Sequence, residues 1–391
     1  MKRYFFSVVL FLSINTLLFG QVYQIGHTTI TFVDSSRNNR SIPTEVYYPA
    51  DVMGDNVAFT AQNSLQFPSL VFGHGFLTTW DAYENFWTSL VPNGYIMAFP
   101  KTEGSFSPSH IEFGRDLAFI INALNSLGNQ SASIFYNRVS SFNSVMGHSM
   151  GGGASFLAVP LNLNIKTLIN FAAAETNPSA ILAATNVSIP TLLFSGANDC
   201  ITPASTNQIP MYNATNSLCK TYLSIIGGNH CQMAQNSAFC NIGEATCFPA
   251  ATITRAAQHA KITSYLLPWL DFQLKGICSQ GTLFDNQISN DPQITFLKNC
   301  LQCSILEVSE ANFNENEVIF YPNPVADFLE ITGKTNVTYK VKIVDVNYKI
   351  LSETTFKENV KIDVSKFASG IYIYEIGNNL GKKEKGKFIK K

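Results

Sequence analysis

Short apolar runs alternate with helical patterns through the middle of the chain. The runs contain few polar positions and lie at 69–72, 95–99, 141–147, 165–171, 191–195 and 221–226. Such runs are typical of strands covered on both faces. Helical patterns separate several of them, at 82–91, 111–127, 150–159 and 255–274. Strands that alternate with helices predict an α/β fold built on a mainly parallel, doubly covered sheet.

The two ends of this region carry different patterns. Residues 22–32 and 40–48 alternate and are rich in β-branched side chains, which predicts two strands. After the last helical pattern the chain becomes polar, and further on short apolar runs follow one another without a helical pattern. We therefore expect an α/β domain over 21–276, a linker over 277–317 and a small, β-sandwich-like domain over 318–391.

The first 20 residues have the pattern of a secretory signal peptide. Lys2 and Arg3 precede an apolar run over 5–19, which ends at Gly20. A transmembrane anchor is the alternative, but it needs nearer to about 20 apolar residues. We therefore expect an exported protein. No later run is long enough to span a bilayer, so we expect no transmembrane anchor.

Charge is scarce and unevenly distributed. Charged residues make up 14% of the chain, against about 25% in an average soluble protein. The formal net charge of −1 gives no basic surface for nucleic acid, and 46% hydrophobic residues exclude a disordered chain. Residues 316–391 hold 22 charges, whereas the much longer stretch 21–315 holds 29. This distribution indicates two domains with different tasks.

All eight cysteines lie between residues 200 and 303. An even number in an exported protein favours disulfides over catalytic thiols. The spacing of Cys300 and Cys303 fits zinc, but no second ligand pair with the spacing of a zinc site accompanies it. We expect disulfides, no metal and no organic cofactor. The residues do not fix the pairing, because eight cysteines allow 105 pairings.

The motif with the most chemical content is Gly-x-Ser-x-Gly over 147–151. It follows a predicted buried strand and precedes a predicted helix, which is the setting of a nucleophile elbow. Small residues are needed there because the serine is held in a tight turn that projects its hydroxyl. Ser149 is therefore the candidate nucleophile, and a purely structural glycine-rich turn is the alternative.

A serine nucleophile needs a general base, and the base needs an orienting acid. With a nucleophile elbow the chain order is Ser, then Asp or Glu, then His. Asp199 and His230 each follow a predicted strand, at the carboxyl end where α/β sheets place their sites. We predict these two residues as acid and base, with Glu175 as the alternative acid. Weaker candidates for the base lie in the first strand, in the elbow and in the last helix: His27, His148 and His259.

The oxyanion of a tetrahedral intermediate needs hydrogen-bond donors. One is the backbone N–H of Met150, at the positive end of the helix that follows the nucleophile. A second should come from the loop after an earlier strand, where a His-Gly pair resembles the oxyanion loop of lipases and esterases. We assign it to the N–H of Phe76, with Leu77 as the alternative, and expect His74 to brace the loop.

Residues 66–274 resemble the dienelactone-hydrolase and cutinase-like branch of the α/β-hydrolases, especially bacterial polyester (polyethylene terephthalate) hydrolases. The matching segments occur in the right order: Gly-His-Ser-Met-Gly-Gly-Gly at 147–153, Pro-Thr-Leu-Leu-Phe at 190–194, and Ile-Gly-Gly-Asn-His at 226–230. The resemblance implies an α/β-hydrolase fold and the same triad and oxyanion residues.

The chain departs from that family where the substrate would lie. Members often have a tryptophan there that stacks on an aromatic ring, whereas this chain has Ala174, with Glu175 beside it. Phe76, Trp80 and Phe106 are the remaining candidates for an apolar wall. The departure weakens the expectation of terephthalate specificity but not that of ester hydrolysis.

Some members of the family join the acid loop to the base loop by a disulfide. Cys200 follows Asp199 and Cys231 follows His230. The resemblance therefore implies a Cys200–Cys231 disulfide.

The C-terminal domain has a likeness of its own. Tyr-Pro-Asn-Pro-Val at 321–325, Ser-Gly-Ile-Tyr-Ile-Tyr at 369–374 and a lysine-rich end resemble the C-terminal sorting domain of type IX secretion in Bacteroidetes. The resemblance implies passage through the type IX machinery, usually with removal of the domain. A carbohydrate-binding or adhesive β-module is the alternative, and by itself the lysine-rich end is typical of a solvated tail.

Together the patterns predict a secreted, monomeric serine hydrolase whose substrates are esters, including those of a polymer surface. An esterase or acyltransferase for small lipid, acetylated-sugar or lactone substrates is a second hypothesis. A non-catalytic surface-binding module on a hydrolase scaffold is a third.

Overall fold

The chain folds into two compact units, divided between Gln302 and Cys303. The computed structural model describes residues 22–62, 65–235, 237–300, 318–345, 350–379 and 383–391. The predicted signal peptide and the second half of the predicted linker lie outside the described residues. The strands of the N-terminal unit are β1 (Gln24–Asp34), β2 (Arg40–Ala50), β3 (Gly54–Asp55), β4 (Phe67–Gly73), β5 (Ile96–Pro100), β6 (Val139–His148), β7 (Thr167–Phe171), β8 (Thr191–Gly196), β9 (Cys219–Ile225) and β10 (Ile294–Cys300).

Helices separate most of these strands, and their ends carry the expected capping residues. The Ser109 hydroxyl accepts the N–H of Glu112 at the start of the second helix, and Gly276 ends the seventh with a φ of 68°. The helices are α1 (Glu84–Leu90), α2 (His110–Gly128), α3 (Met150–Ala158), α4 (Ala180–Ala184), α5 (Gln208–Ala214), α6 (Ala238–Glu244), α7 (Arg255–Lys275) and α8 (Cys278–Asn290).

The strands form one sheet in the order β10-β9-β8-β7-β6-β4-β5-β2-β1-β3. The strands from β5 through β4, β6, β7 and β8 to β9 are parallel, and β2 and β10 join this block antiparallel. Successive side chains of β4 point to opposite faces: Val71 packs in one apolar core, and Leu70 and Phe72 pack in the other. The predicted doubly covered, mainly parallel α/β sheet is therefore confirmed.

The structure corrects the linker prediction for residues 277–300. This stretch forms α8 and β10, and β10 extends the sheet by pairing with β9. Phe284 and Ile288 of α8 are buried in the same core as Trp269 of α7. The polar composition concealed these elements, because α8 buries only a narrow stripe and β10 is an edge strand.

The C-terminal unit is all β, as predicted. Its strands form two sheets, β11-β12-β15 and β14-β13-β16-β17, whose side chains share one apolar core. The lysine-rich end is a strand rather than a solvated tail, because it pairs with its neighbour and buries Phe388. The strands are β11 (Val318–Tyr321), β12 (Phe328–Gly333), β13 (Thr338–Val344), β14 (Ile350–Lys357), β15 (Asn359–Asp363), β16 (Gly370–Asn378) and β17 (Lys383–Lys390).

Across the described parts of both units, none of the helices combines the length and apolar character needed to cross a membrane.

Candidate active site

Ser149 occupies a strained turn between β6 and α3. Its φ of 55° and ψ of −120° are costly for a residue with a side chain. The turn is tight enough to require glycine at two positions. A Cβ on Gly147 would lie 2.3 Å from the carbonyl carbon of Gly151, and one on Gly151 would lie 2.1 Å from the carbonyl oxygen of Gly73. The glycines of the sequence motif therefore allow the bend that presents Ser149.

Asp199 and His230 form a buried acid–base pair. His230 Nδ1 lies 2.8 Å from Asp199 Oδ2, and both side chains are almost fully buried. Asp199 lies just beyond β8 and His230 just beyond β9, so adjacent parallel strands bring them together. This arrangement leaves Nε2 of His230 as the nitrogen available for proton transfer.

Thr202 completes the environment of the acid, and sequence reasoning missed it. Its hydroxyl donates to Asp199 Oδ2 at 2.9 Å and lies 3.0 Å from His230 Nδ1. The backbone N–H groups of Ile201 and Thr202 donate to Asp199 Oδ1. Burial alone would raise the pKa of Asp199, but His230 and these donors hold it below its usual range. A signal existed, since Asp followed three residues later by Thr is typical of a side-chain-capped turn.

Ser149 and His230 line one cavity of about 110 Å³. Gly75 and Phe76 border it from the loop after β4, and Phe239 and Gly243 border it from α6. The other lining residues are Thr78, His148, Ile201 and Cys240. The predicted nucleophile, base and oxyanion loop therefore meet at the carboxyl edge of the sheet.

Tyr83 connects the oxyanion loop to the elbow. Its hydroxyl accepts the N–H of Gly75 at 2.7 Å and lies 3.0 Å from Nδ1 of His148. His74 is also buried, and its two ring nitrogens lie 2.9 and 2.8 Å from the carbonyl oxygens of Gly75 and Thr102. The loop that carries Phe76 is thus held by contacts to two buried side chains.

His148 lies beside the base without replacing it. Its ring centroid is 4.7 Å from that of His230. Burial, together with the nearby charge of His230, lowers the pKa of His148 well below its usual range. The Tyr83 hydroxyl oxygen accepts a hydrogen bond from the N–H of Gly75 and contacts Nδ1 of His148. His148 is therefore neutral near pH 7, and its Nδ1 is hydrogen-bonded to the Tyr83 hydroxyl.

The other rival candidates lie in other contacts. His27 lies between Glu45 and Asp55 on the edge strands. His259 of α7 has Nε2 3.1 Å from the carbonyl oxygen of Ala234. Glu175 accepts the N–H of Ile181 at the start of α4, so it acts as a helix cap.

The residues predicted as a substrate wall lie in different surroundings. Phe76 lines the cavity, whereas Trp80 packs with Trp87 and Phe106 is 81% exposed. Ala174 donates its N–H to the carbonyl oxygen of Ser149, and Glu175 caps α4, so neither belongs to the described lining. Phe239 and Ile201 line the cavity together with Phe76. Phe239 was missed because α6 lies between the base and the last helix, where no pattern marked a site. Ile201 was missed although it lies in the acid loop, two residues after Asp199.

The predicted Cys200–Cys231 disulfide is wrong. Cys200 pairs with Cys247, and Cys231 pairs with Cys240. Both loops are thus joined to the segment that carries α6 rather than to each other. A third disulfide joins Cys219 of β9 to Cys300 of β10. The pairing could not follow from the sequence, because it depends on where the intervening segment lies.

Glu244, at the end of α6, holds the backbone of the base loop. One carboxylate oxygen accepts the N–H of His230 at 2.8 Å and that of Cys231 at 3.3 Å, and the other accepts the amide of Asn229. Burial raises the pKa of Glu244, against the lowering effect of these N–H donors. Arg255 donates to the carbonyl oxygen of Cys231 from α7. The loop that carries His230 is therefore fixed from both sides.

Comparison with known proteins identifies relatives for both units. Residues 319–391 match a family model described as a secretion system C-terminal sorting domain. Cutinase 1 of Thermobifida cellulosilytica and a cutinase of Thermobifida fusca (strain YX) are each 33% identical over 110 residues, which is 28% of this chain. Cutinase est1 of Thermobifida alba is 30% identical over the same length and share of this chain.

The matched stretch is short relative to those cutinases. It spans 40%, 35% and 36% of their respective lengths. The match to the PET hydrolase-like family model is broader, since it extends over residues 20–247 and includes the elbow, the acid and the base. With more than half of its length matched, and with the expected doubly covered sheet, the chain belongs to the PET hydrolase-like family of α/β-hydrolases.

Proposed function

We propose that the chain is a serine hydrolase of carboxylic esters, with Ser149 as nucleophile, His230 as general base and Asp199 as the orienting acid. The observation that carries the proposal is a strained serine and a carboxylate-paired histidine on one small cavity. Backbone strain of this kind costs free energy, persists only where the surrounding structure enforces it, and is concentrated at active sites. The cutinase relatives support the same reaction class.

The proposed mechanism is acyl transfer through a covalent intermediate. Ser149 Oγ attacks the ester carbonyl carbon while Nε2 of His230 takes its proton, and Asp199 stabilises the resulting imidazolium. The N–H groups of Phe76 and Met150 stabilise the oxyanion. Collapse expels the alcohol, which receives the proton from His230. Water, deprotonated by His230, then attacks the acyl-enzyme and releases the acid and Ser149.

Within this reaction class, we propose polyesters as one substrate class and small soluble esters as the alternative. The family description favours polyesters such as polyethylene terephthalate. Exposed apolar side chains around the cavity favour an apolar ester as well, since Phe76, Ile201 and Phe239 are 37%, 41% and 47% exposed. The small volume of the cavity is the observation that favours small esters.

We also propose that the protein is exported and that the C-terminal unit engages the type IX secretion machinery. The match of residues 319–391 to a sorting-domain model supports this role. In this proposal the charged C-terminal unit directs secretion, and the N-terminal unit catalyses the reaction.

A turnover panel tests the catalytic proposal. It comprises short and long p-nitrophenyl esters, a soluble terephthalate ester and a polyester film, each with the wild type, Ser149→Ala and Ser126→Ala. Ser126 is an exposed serine of α2 and serves as the matched control. We expect Ser149→Ala to lose activity by about 10⁴-fold or more, and Ser126→Ala to match the wild type. Full activity in Ser149→Ala would overturn the proposal, and activity on soluble short esters alone would exclude the polymer hypothesis.

A further inference from the structure

The segment 237–247, here called the cap, borders the cavity of the nucleophile. It contains α6, and three of its residues, Phe239, Cys240 and Gly243, line the cavity that Ser149 and His230 share. The Phe239 ring meets Phe76 edge to face, with 6.0 Å between ring centroids. One aromatic ring from the oxyanion loop and one from the cap therefore border the same cavity.

The cap is fastened to both loops that carry the acid and the base. Cys240 is bonded to Cys231, the residue after His230, and Cys247 is bonded to Cys200, the residue after Asp199. Glu244 adds hydrogen bonds to the N–H groups of His230 and Cys231. Two covalent links and a half-buried carboxylate thus hold the cap in place relative to the catalytic pair, so the cavity wall is preorganised.

The cavity that the cap borders is small. Its volume of about 110 Å³ equals about four water molecules at roughly 30 Å³ each, and ligand pockets are commonly about 300–1,000 Å³. A two- to four-carbon acyl group fits a volume of this size, whereas a longer chain must extend past the rings of Phe239 and Phe76, which border the cavity. Size exclusion by a fixed wall is a source of specificity in hydrolases.

We propose that the cap is a specificity-determining element and that Phe239 sets the upper length of the acyl group accepted at Ser149. This inference rests on the proposed ester hydrolysis and, of the two substrate classes proposed for it, favours small esters with short acyl groups. The triad carries out the reaction. Phe239 does not take part in the reaction and only limits which acyl groups reach the nucleophile.

The test compares kcat/KM for p-nitrophenyl acetate, butyrate and octanoate. We expect the wild type to favour acetate and butyrate over octanoate. Phe239→Ala enlarges the cavity, so the ratio of octanoate to acetate should rise by about tenfold or more. Phe239 is 47% exposed, so this truncation should not unfold the protein, and a thermal unfolding curve checks that.

Two further variants make the result specific. Ile242→Ala is the matched control, because Ile242 lies on the same helix, is 74% exposed and is not part of the described cavity lining. It should leave the ratio unchanged. Gly243→Ala adds a methyl group 3.6 Å from Ile201 Cδ1, an ordinary contact, so it should narrow the cavity and lower the ratio.

The outcomes separate the two proposals. If the wild type hydrolyses none of the three esters, the proposed function fails and the inference fails with it. If the wild type hydrolyses esters but Phe239→Ala keeps the wild-type ratio of octanoate to acetate, the inference alone is overturned. A rise of the same size in Ile242→Ala would also overturn it, because the effect would then not come from the cavity wall.

Discussion

The two units of the chain differ most in what they bury. Buried polar and charged groups of the N-terminal unit include Asp199, His230, His148 and His74, and a strained backbone presents Ser149. In the described residues of the C-terminal unit, Lys390 is the one polar or charged residue that is buried. Its core otherwise consists of aliphatic and aromatic side chains between two sheets.

This difference separates residues that serve chemistry from residues that serve folding. Burying a polar group or straining a backbone turn costs free energy, so each must be offset by packing and by partners. The N-terminal unit offsets this cost with an apolar core on each face of its sheet. The C-terminal unit bears little of this cost, in keeping with the role in secretion proposed for it.

The largest expected effect comes from removing the charge that orients the base. Asp199→Asn replaces the carboxylate that holds His230 Nδ1, so His230 loses its tautomer and its stabilised imidazolium. We expect kcat to fall by about 10⁴-fold. The matched control is Asp363→Asn at the exposed end of β15 in the C-terminal unit, which should leave ester hydrolysis unchanged. Equal activity in the two variants would remove the distinction between the units.

Acid pH should destabilise the N-terminal unit selectively. Burial lowers the pKa of His74 and of His148. In the unfolded chain these two histidines therefore bind protons near the ordinary histidine pKa of about 6.5, whereas in the folded unit they stay neutral. The free energy of unfolding is unaffected well above that pH. It should fall as the pH drops below it, by up to about 1.4 kcal/mol per pH unit for each histidine.

The C-terminal unit provides the internal control for this pH effect. Residues 318–391 contain no histidine. Calorimetry between about pH 7 and pH 5.5 should move the transition of the N-terminal unit and leave that of the C-terminal unit in place. Burial raises the pKa of Glu244. This shift stabilises the folded unit as the pH falls, but it involves one carboxyl group against two histidines. A shift of the C-terminal transition alone would contradict this account.

Removal of the C-terminal unit should have the smallest effect on ester hydrolysis. Each unit has its own core, so removal of residues 318–391 should change kcat/KM for a soluble ester by less than about twofold. Steady-state kinetics of the full and shortened chains checks this. A fall of tenfold or more would mean that the C-terminal unit contributes to the site.

Most of the architecture could be predicted because it rests on local patterns. Buried parallel strands are short apolar runs, and the glycines at 147 and 151 follow from the tight turn at Ser149. Elements with a weak pattern were missed. Helix α8 is largely polar and strand β10 is largely exposed, and the lysine-rich β17 is a strand only because it pairs with β16. Lysine on an edge strand is a common protection against aggregation, so its charge gave the wrong prediction.

In the candidate site, too, some residues could be predicted from local patterns and others could not. Ser149, Asp199 and His230 follow strand ends in a fixed order, so their positions were predictable. The cavity wall was not. Phe239 reaches it from a segment whose position is fixed by two disulfides, and a disulfide pairing depends on tertiary structure rather than on spacing.

Covalent labelling tests the central claim most directly. The wild type is treated with a serine-directed phosphonate ester, digested and analysed by peptide mass spectrometry. The account predicts one phosphonate on the peptide that contains Ser149, together with loss of ester hydrolysis in proportion to labelling, and no label in Ser149→Ala. Labelling of a different serine that abolishes hydrolysis, or unimpaired hydrolysis by fully labelled Ser149, would contradict it.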